Sequence, residues 1–254
     1  MVTVAFLIPT TSRNQNWKSI QEIHLFTTMF PSFLSTETSD YSSRFYLGVD
    51  QDDPFYSNTN VQENVLSYMN SFSQVHAEFV IFKDIAKGHL TKMWNQLYKK
   101  AYNDECDYFY CCGDDINFTK EGWLEKAIQL LKEHNDIGMT GPSNKNGNTN
   151  IVTQTLVSRK HYEIFGYGYP EAIWNWYCDD WINLVYSPNY IYRMDDYPCY
   201  NCGGRERYNI VEAKDLCQQL VNEDKKKLEK YLEEHNISPI VQTSIFTTIL
   251  NTIF

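Results

Sequence analysis

The stretch Asp107-Tyr108-Phe109-Tyr110-Cys111-Cys112-Gly113-Asp114-Asp115-Ile116-Asn117-Phe118 changes character in its middle. An apolar, aromatic run suited to a buried strand gives way to a glycine and two adjacent carboxylates, which a core cannot hold unless something cationic neutralises them. A divalent metal does this most simply. In an α/β sheet the carboxyl ends of central strands open into the crevice where such folds bind ligands, so Asp114 and Asp115 are expected at a site mouth. Gly-Asp-Asp is also ordinary turn chemistry. The stretch alone leaves both readings open.

Composition bounds the choice. With 254 residues and 43% hydrophobic content, the chain can bury a sizeable core as one large domain. A net charge of -10 and a pI near 5.1 argue against a nucleic-acid surface, which needs clustered Lys and Arg. Seven cysteines without a basic-then-apolar leader point to a reducing, cytoplasmic setting. Cys199 and Cys202 have half of a zinc-ribbon spacing with nothing to complete it, so free thiols are expected. The glycosylation sequons at Asn117 and Asn236 mean little without a secretory signal.

Val2 to Ile8 is near-continuously apolar, as a strand covered on both faces would be, and ends at Pro9-Thr10-Thr11-Ser12-Arg13. Small hydroxyls and a guanidinium after a first parallel strand suit a nucleotide-binding turn, and equally an exposed loop that caps a helix. Residues 17–34 read as an amphipathic helix ending near Pro31. A second strand, Arg44 to Val49, runs into Asp50-Gln51-Asp52-Asp53, so the chain has two acidic strand ends. A helix over 58–71 and a strand over Glu78–Phe82 follow. After Lys87-Gly88-His89, apolar positions Leu90, Met93, Trp94, Leu97, Tyr98 and Ala101 keep helical spacing and deliver the chain into the Asp107 strand. Such βα succession implies a mainly parallel, Rossmann-like sheet flanked by helices.

Trp123, Leu124, Ala127, Ile128 and Leu131 mark another helix, Gly141 to Asn148 is turn-rich, and Ile151 to Val157 is strand-like. The segment from Phe165 to Trp181 sets Asp179 and Asp180 among many aromatics. Aromatic faces pack against sugar rings, and burial raises a carboxylate's pKa toward the range of a general base. An aromatic core with Asp179 capping a helix from Trp181 is the plainer reading.

The order of these pieces resembles GT-A fold glycosyltransferases: strand-ending Asp50, Lys-Gly-His helix, Gly113-Asp114-Asp115, Gly141-Pro142-Ser143-Asn144 loop and aromatic-rich Asp179-Asp180-Trp181. It is similar to the inverting family 2 enzymes, including versions from large DNA viruses, over roughly residues 2–208. The resemblance implies that Thr10, Thr11, Arg13 and Asp50 hold the base and ribose of a nucleotide sugar, UDP-linked, and that Lys87 approaches the nucleotide. Asp115, with Asp114, would ligate Mn²⁺ or Mg²⁺ at the diphosphate. The family has Asp-x-Asp, and here Cys112 stands two before Asp114, so Asp114 takes the first acid's role or one contact is missing. Asp180, with Asp179 second, matches the catalytic base. Arg205 and Arg207, in a late glycine-containing loop, would steady the leaving diphosphate. The implied reaction is an inverting single displacement that moves a hexosyl or deoxyhexosyl group to a hydroxyl of a carbohydrate or glycoprotein, in the host cytoplasm if the chain is viral.

Residues 1–210 would form this domain and 211–254 a helical tail packing on it or on a partner subunit in a homodimer. Residues 211–235 suit a solvated amphipathic helix, and 237–254 are too polar for a membrane span. Two rivals share parts of the pattern. A nucleotidyltransferase would carry a Gly-rich basic loop after the first strand, which Pro9–Arg13 lacks, and a non-catalytic sugar-binding module leaves Asp50, Asp114 and Asp115 without a role.

Overall fold

The structure is a computed structural model that describes residues 1–203 and 208–238. Arg205, Arg207 and residues 239–254 lie outside the described residues, and with them the expectations placed there.

The apolar strands assemble as their composition requires. β1 (Thr3–Pro9) is flanked in parallel by β2 (Ser42–Asp50), which carries β3 (Val75–Phe82) in parallel beyond it, and on its other side by β4 (Tyr108–Cys111). Beyond β4 the sheet changes sense. β7 (Thr155–Ser158) is antiparallel to β4 and to β6 (Met139–Asn144), β8 (Ile191–Asn201) is parallel to β6, and β5 (Ile116–Phe118) is antiparallel to β8. The result is one mixed, mainly parallel eight-stranded sheet of order β3-β2-β1-β4-β7-β6-β8-β5. β1 contributes alternate residues to two cores: Phe6 stacks on Phe45 at 4.5 Å on one face, and Ala5 and Leu7 join the other.

Helices cover both faces. α1 (Phe30–Thr36), α2 (Thr59–Met69) and α4 (Trp123–Glu133) close one core, while α3 (Leu90–Asn103), α5 (Arg159–Phe165), α6 (Cys178–Tyr186) and α7 (Lys214–Glu234) close the other. α3 buries Met93, Trp94, Leu97, Tyr98 and Ala101 of the positions its spacing marked, and leaves Leu90 half-buried.

Two local expectations are corrected. Residues 17–34 are not one helix: a 3₁₀ turn (Ile20–Glu22) and a π-helical turn (Leu25–Met29) precede α1, and Pro31 starts α1 rather than ending a helix, since a first-turn proline gives up no hydrogen bond. Part of the turn-rich Gly141–Asn148 stretch is the buried strand β6, held by β8 in a register that shifts at Pro142/Ser143. β8 itself, a mixture of Tyr, Asp and Pro, has no clean alternation and becomes a strand through its partners.

α7 is less solvated than its charges suggest. Cys217, Val221, Leu228 and Leu232 face the core, and Asp224 is 1% exposed. Its carboxylate accepts from Tyr167 Oη (2.7 and 2.8 Å) and Trp181 Nε1 (3.0 Å) and meets Lys227 Nζ at 2.8 Å, so α7 is fastened to α6 through a buried charge with a full set of partners. No helix among the described residues is long and apolar enough to cross a membrane.

Candidate functional site

The carboxyl ends of β1, β2 and β4 meet at one edge of the sheet, and the acidic residues stand there. Where β1 ends, Thr10 Oγ1 donates to Asp114 Oδ2, joining the first loop to the end of β4. The next two residues turn toward the end of β2. Thr11 Oγ1 (2.8 Å), Ser12 N (2.8 Å) and Ser12 Oγ (2.5 Å) all donate to Asp53, as do the amides of Phe55 (3.0 Å) and Tyr56 (2.9 Å). Burial pushes the Asp53 carboxyl up, but the bonds from Ser12, the Tyr56 amide and Thr11 outweigh it and hold the pKa below its ordinary value. Asp53 was legible only as one of several acids after a strand, and the tertiary structure makes it the anchor of the first loop.

Arg13 extends from that anchored loop along the β2 end. Its Nη2 donates to Asp52 Oδ1 (2.9 Å), its Nε lies 3.7 Å from Asp50 Oδ2, and Lys87 Nζ reaches Asp52 Oδ2 at 2.5 Å. Nε is buried and, among the described residues, has the Asp50 carboxylate beside it at ion-pair distance but no acceptor within hydrogen-bond reach. Asp50 is 5% exposed. Burial raises its pKa, with Arg13 opposing and Asp52 and Asp53 adding to the rise.

Tyr208 closes this corner. Its hydroxyl lies 3.5 Å from Asp50 Oδ2, and burial with the Asp50 charge pushes its pKa up to about 12. Gly88, at φ +80°, lets the Tyr208 ring approach: a Cβ there would stand 2.9 Å from Tyr208 Cβ. Asn175 ties these parts together, donating to Gly88 O (3.3 Å) and Asn209 O (2.8 Å) and accepting from Val211 N (3.1 Å). Beside it His89 stacks on Trp174 at 4.1 Å and donates to Glu171 O at 2.9 Å.

At the end of β4, Asp114 is 1% exposed while Asp115 is half-buried. The Asp115 carboxylate occupies a slot between Gly113 and Gly203, where a Cβ on either glycine would strike its oxygens, and Cys202 N donates to Asp115 O at 2.9 Å. Among the described residues no three His, Cys, Asp or Glu side chains gather into an all-protein metal cage. A cation that bridges a diphosphate needs only one or two carboxylates, with phosphate oxygens and water completing the shell. The hard oxygens of Asp114 and Asp115 fit that requirement.

Asp179 and Asp180 lie in the first turn of α6, whose N-cap is Tyr177 at φ 72°, and not at a cap before Trp181. Their charges act on different neighbours. The Asp179 charge acts on Cys111 of β4 and on Tyr169, whereas that of Asp180 acts on Tyr177 and on Cys217 of α7. Burial and the neighbouring Asp180 carboxylate push the Asp179 pKa up to about 7, with Cys178 opposing. Asn183 holds this turn to the sheet: it donates to Asp179 O (2.8 Å) and Val152 O (2.9 Å) and accepts from Val152 N (3.0 Å). Trp176, three residues before Asp179, is 48% exposed.

No protein-family model and no curated protein sequence matches the chain. Solved structures do. The structure of S. aureus TarS 1-349 in complex with UDP-GlcNAc superposes with a TM-score of 0.60 at 13% identity, covering 88% of this chain and 66% of that one. TarS 1-349 in complex with UDP gives 0.56 at 16%, covering 88% and 65%. GalNAc-T7 with UDP, GalNAc and Mn2+ gives 0.59 at 11%, covering 92% and 54%. The chain thus spans about two thirds of the TarS fragment and about half of GalNAc-T7. These neighbours are GT-A glycosyltransferases, and the mixed sheet and flanking helices described above are the GT-A fold.

Proposed function

We propose that this chain is a glycosyltransferase that moves a sugar from a nucleoside-diphosphate sugar, UDP-linked, to an acceptor hydroxyl with inversion. The observation that carries the reading is the joining of the β1, β2 and β4 ends, where Thr10 bonds Asp114 and Arg13 meets Asp50. Neighbours of the same fold are complexes with UDP-GlcNAc, with UDP, and with UDP, GalNAc and Mn2+. The family 2 relationship and the kinship with enzymes of large DNA viruses rest on the sequence resemblance. Seven free thiols accord with a cytoplasmic setting.

In this reading Thr10, Thr11, Arg13 and Asp50 bind the base and ribose, and Lys87 stands beside the nucleotide. Asp114 and Asp115 hold Mn²⁺ or Mg²⁺, which when bound neutralises charge on the diphosphate. Arg205 and Arg207 are proposed to assist from the late loop. The acceptor hydroxyl loses its proton to the α6 pair as its oxygen attacks the anomeric carbon and the diphosphate leaves. The resemblance gives the base to Asp180. Against that, burial and the Asp180 charge raise the Asp179 pKa to about 7, where a base balances strength against availability, so Asp179 is taken as the base. The exposed Trp176 is offered as the acceptor platform.

Incubation of the protein with radiolabelled UDP-sugars, Mn²⁺ and a panel of oligosaccharide and glycoprotein acceptors tests the reading. Release of UDP with label in the acceptor is expected. A parallel incubation with UTP and a sugar 1-phosphate that releases pyrophosphate would show a nucleotidyltransferase instead, and donor turnover at background a binding module.

A further inference from the structure

Gln154 sits between the two halves of the site and was not marked by any sequence pattern. It immediately precedes β7, whose Thr155 pairs with Cys111 at the end of β4. Its Oε1 accepts from Gly113 N at 3.3 Å. Only the oxygen of a carboxamide can accept an amide proton, so this bond fixes which way the group is turned and leaves Nε2 on the other side. Gln154 is 7% exposed. Among the described residues Nε2 has no hydrogen-bond partner, yet it is not sealed from the surface.

The surroundings define where that N–H group stands. Two residues before it, Val152 is bonded at both its amide and its carbonyl to Asn183 of α6, and Asn183 also bonds Asp179 O. Val152-Thr153-Gln154 is therefore a short strap from the carboxylate turn of α6 to the glycine that introduces Asp114 and Asp115. Resting on the donor reading above, the sugar in transit passes between the diphosphate site and the base, the two places that this strap connects.

We propose that Gln154 is a specificity-determining residue for the donor, its Nε2 donating a hydrogen bond to an oxygen acceptor on the transferred sugar, a ring hydroxyl or an acyl carbonyl. A buried donor left unpaired is costly, so a sugar that presents an oxygen there is selected over one that does not. The rival role is to hold Gly113 in place and nothing more.

Two substitutions separate these. Gln154→Glu keeps an oxygen for Gly113 N–H and replaces the Nε2 donor by an acceptor, while Gln154→Met removes both. Isothermal titration in Mn²⁺ measures Kd for UDP and for UDP-GlcNAc, UDP-GalNAc, UDP-glucose and UDP-galactose, and the ratio of sugar-nucleotide Kd to UDP Kd cancels any general effect of the added charge. For the tightest wild-type sugar, this ratio is expected to rise about 3–10-fold in Gln154→Glu, with a similar rise in Gln154→Met and preference among the four sugars reduced. An unchanged ratio in both variants overturns the proposal, as does a Gln154→Met that weakens UDP and UDP-sugar alike beside a Gln154→Glu that behaves as wild type. If the wild-type protein binds UDP and the ratio stays constant, only the Gln154 role falls. If it binds no UDP at all, the donor reading falls with it.

Discussion

Ser12 and Asp53, 41 positions apart, are joined twice: the Ser12 amide and hydroxyl donate to the two oxygens of one carboxylate at 2.8 and 2.5 Å. Asp53 is fully buried, so the conformation of the first loop, and with it the aim of Arg13, depends on a charge that never meets solvent.

Asp53→Asn is expected to cost roughly 2–3 kcal/mol of stability, because an amide cannot accept from donors on both of its ends. The pKa of Asp53 is depressed on folding, so its contribution is present above the unfolded carboxylate value near 4 and is lost as pH falls through the lower folded value. Thermal melts from pH 7 down to pH 2 should show the wild type losing its advantage over Asp53→Asn in acid. Parallel melting curves across that range would remove Asp53 as the anchor. Donor affinity should weaken in the variant at pH 7, since Arg13 is no longer held.

Asp115→Ala is expected to leave the fold intact and abolish the Mn²⁺-dependent part of UDP binding, read by titration with and without EDTA. Asp114→Ala should be weakened too and should lose stability as well, since Asp114 is buried and takes the Thr10 hydroxyl. Full Mn²⁺-dependent binding by Asp115→Ala would place the metal elsewhere.

For the carboxylate pair, transfer should rise with pH through about 7 as Asp179 loses its proton. Asp179→Asn should lose this acid limb and about 10²–10⁴-fold in kcat with donor Kd unchanged. Its stability has the opposite sign. A carboxyl whose pKa is raised on folding binds its proton more tightly in the native state, so the wild type loses stability as pH rises from about 4 to about 7. Asp179→Asn should therefore melt higher than wild type at pH 8, with the gain vanishing toward pH 4. If Asp180→Asn alone loses transfer, the base is the residue that the resemblance indicates.

The sequence alone determined strands β1 to β4, the helices with clear periodicity and the acidic strand ends. A run such as Val4 to Ile8 has no stable place except a doubly covered strand, and the 3.6-residue spacing of Met93, Leu97 and Ala101 admits only a helix with one buried face. Because such a strand must end in a crevice, Asp50 and Asp114 were placed before any contact was known. Tertiary structure decided what each polar group does. Asp53, Gln154, Asn175 and Asn183 act through partners 41, 41, 87 and 31 positions away, and local sequence holds no record of a bond closed by chain folding. The same holds for β8, which is a strand only because β6 and β5 supply its hydrogen bonds, and for the two α6 acids. Adjacent in sequence and identical in type, Asp179 and Asp180 differ because folding sets different neighbours around them, so that the charge of one acts on Cys111 of β4 and that of the other on Cys217 of α7.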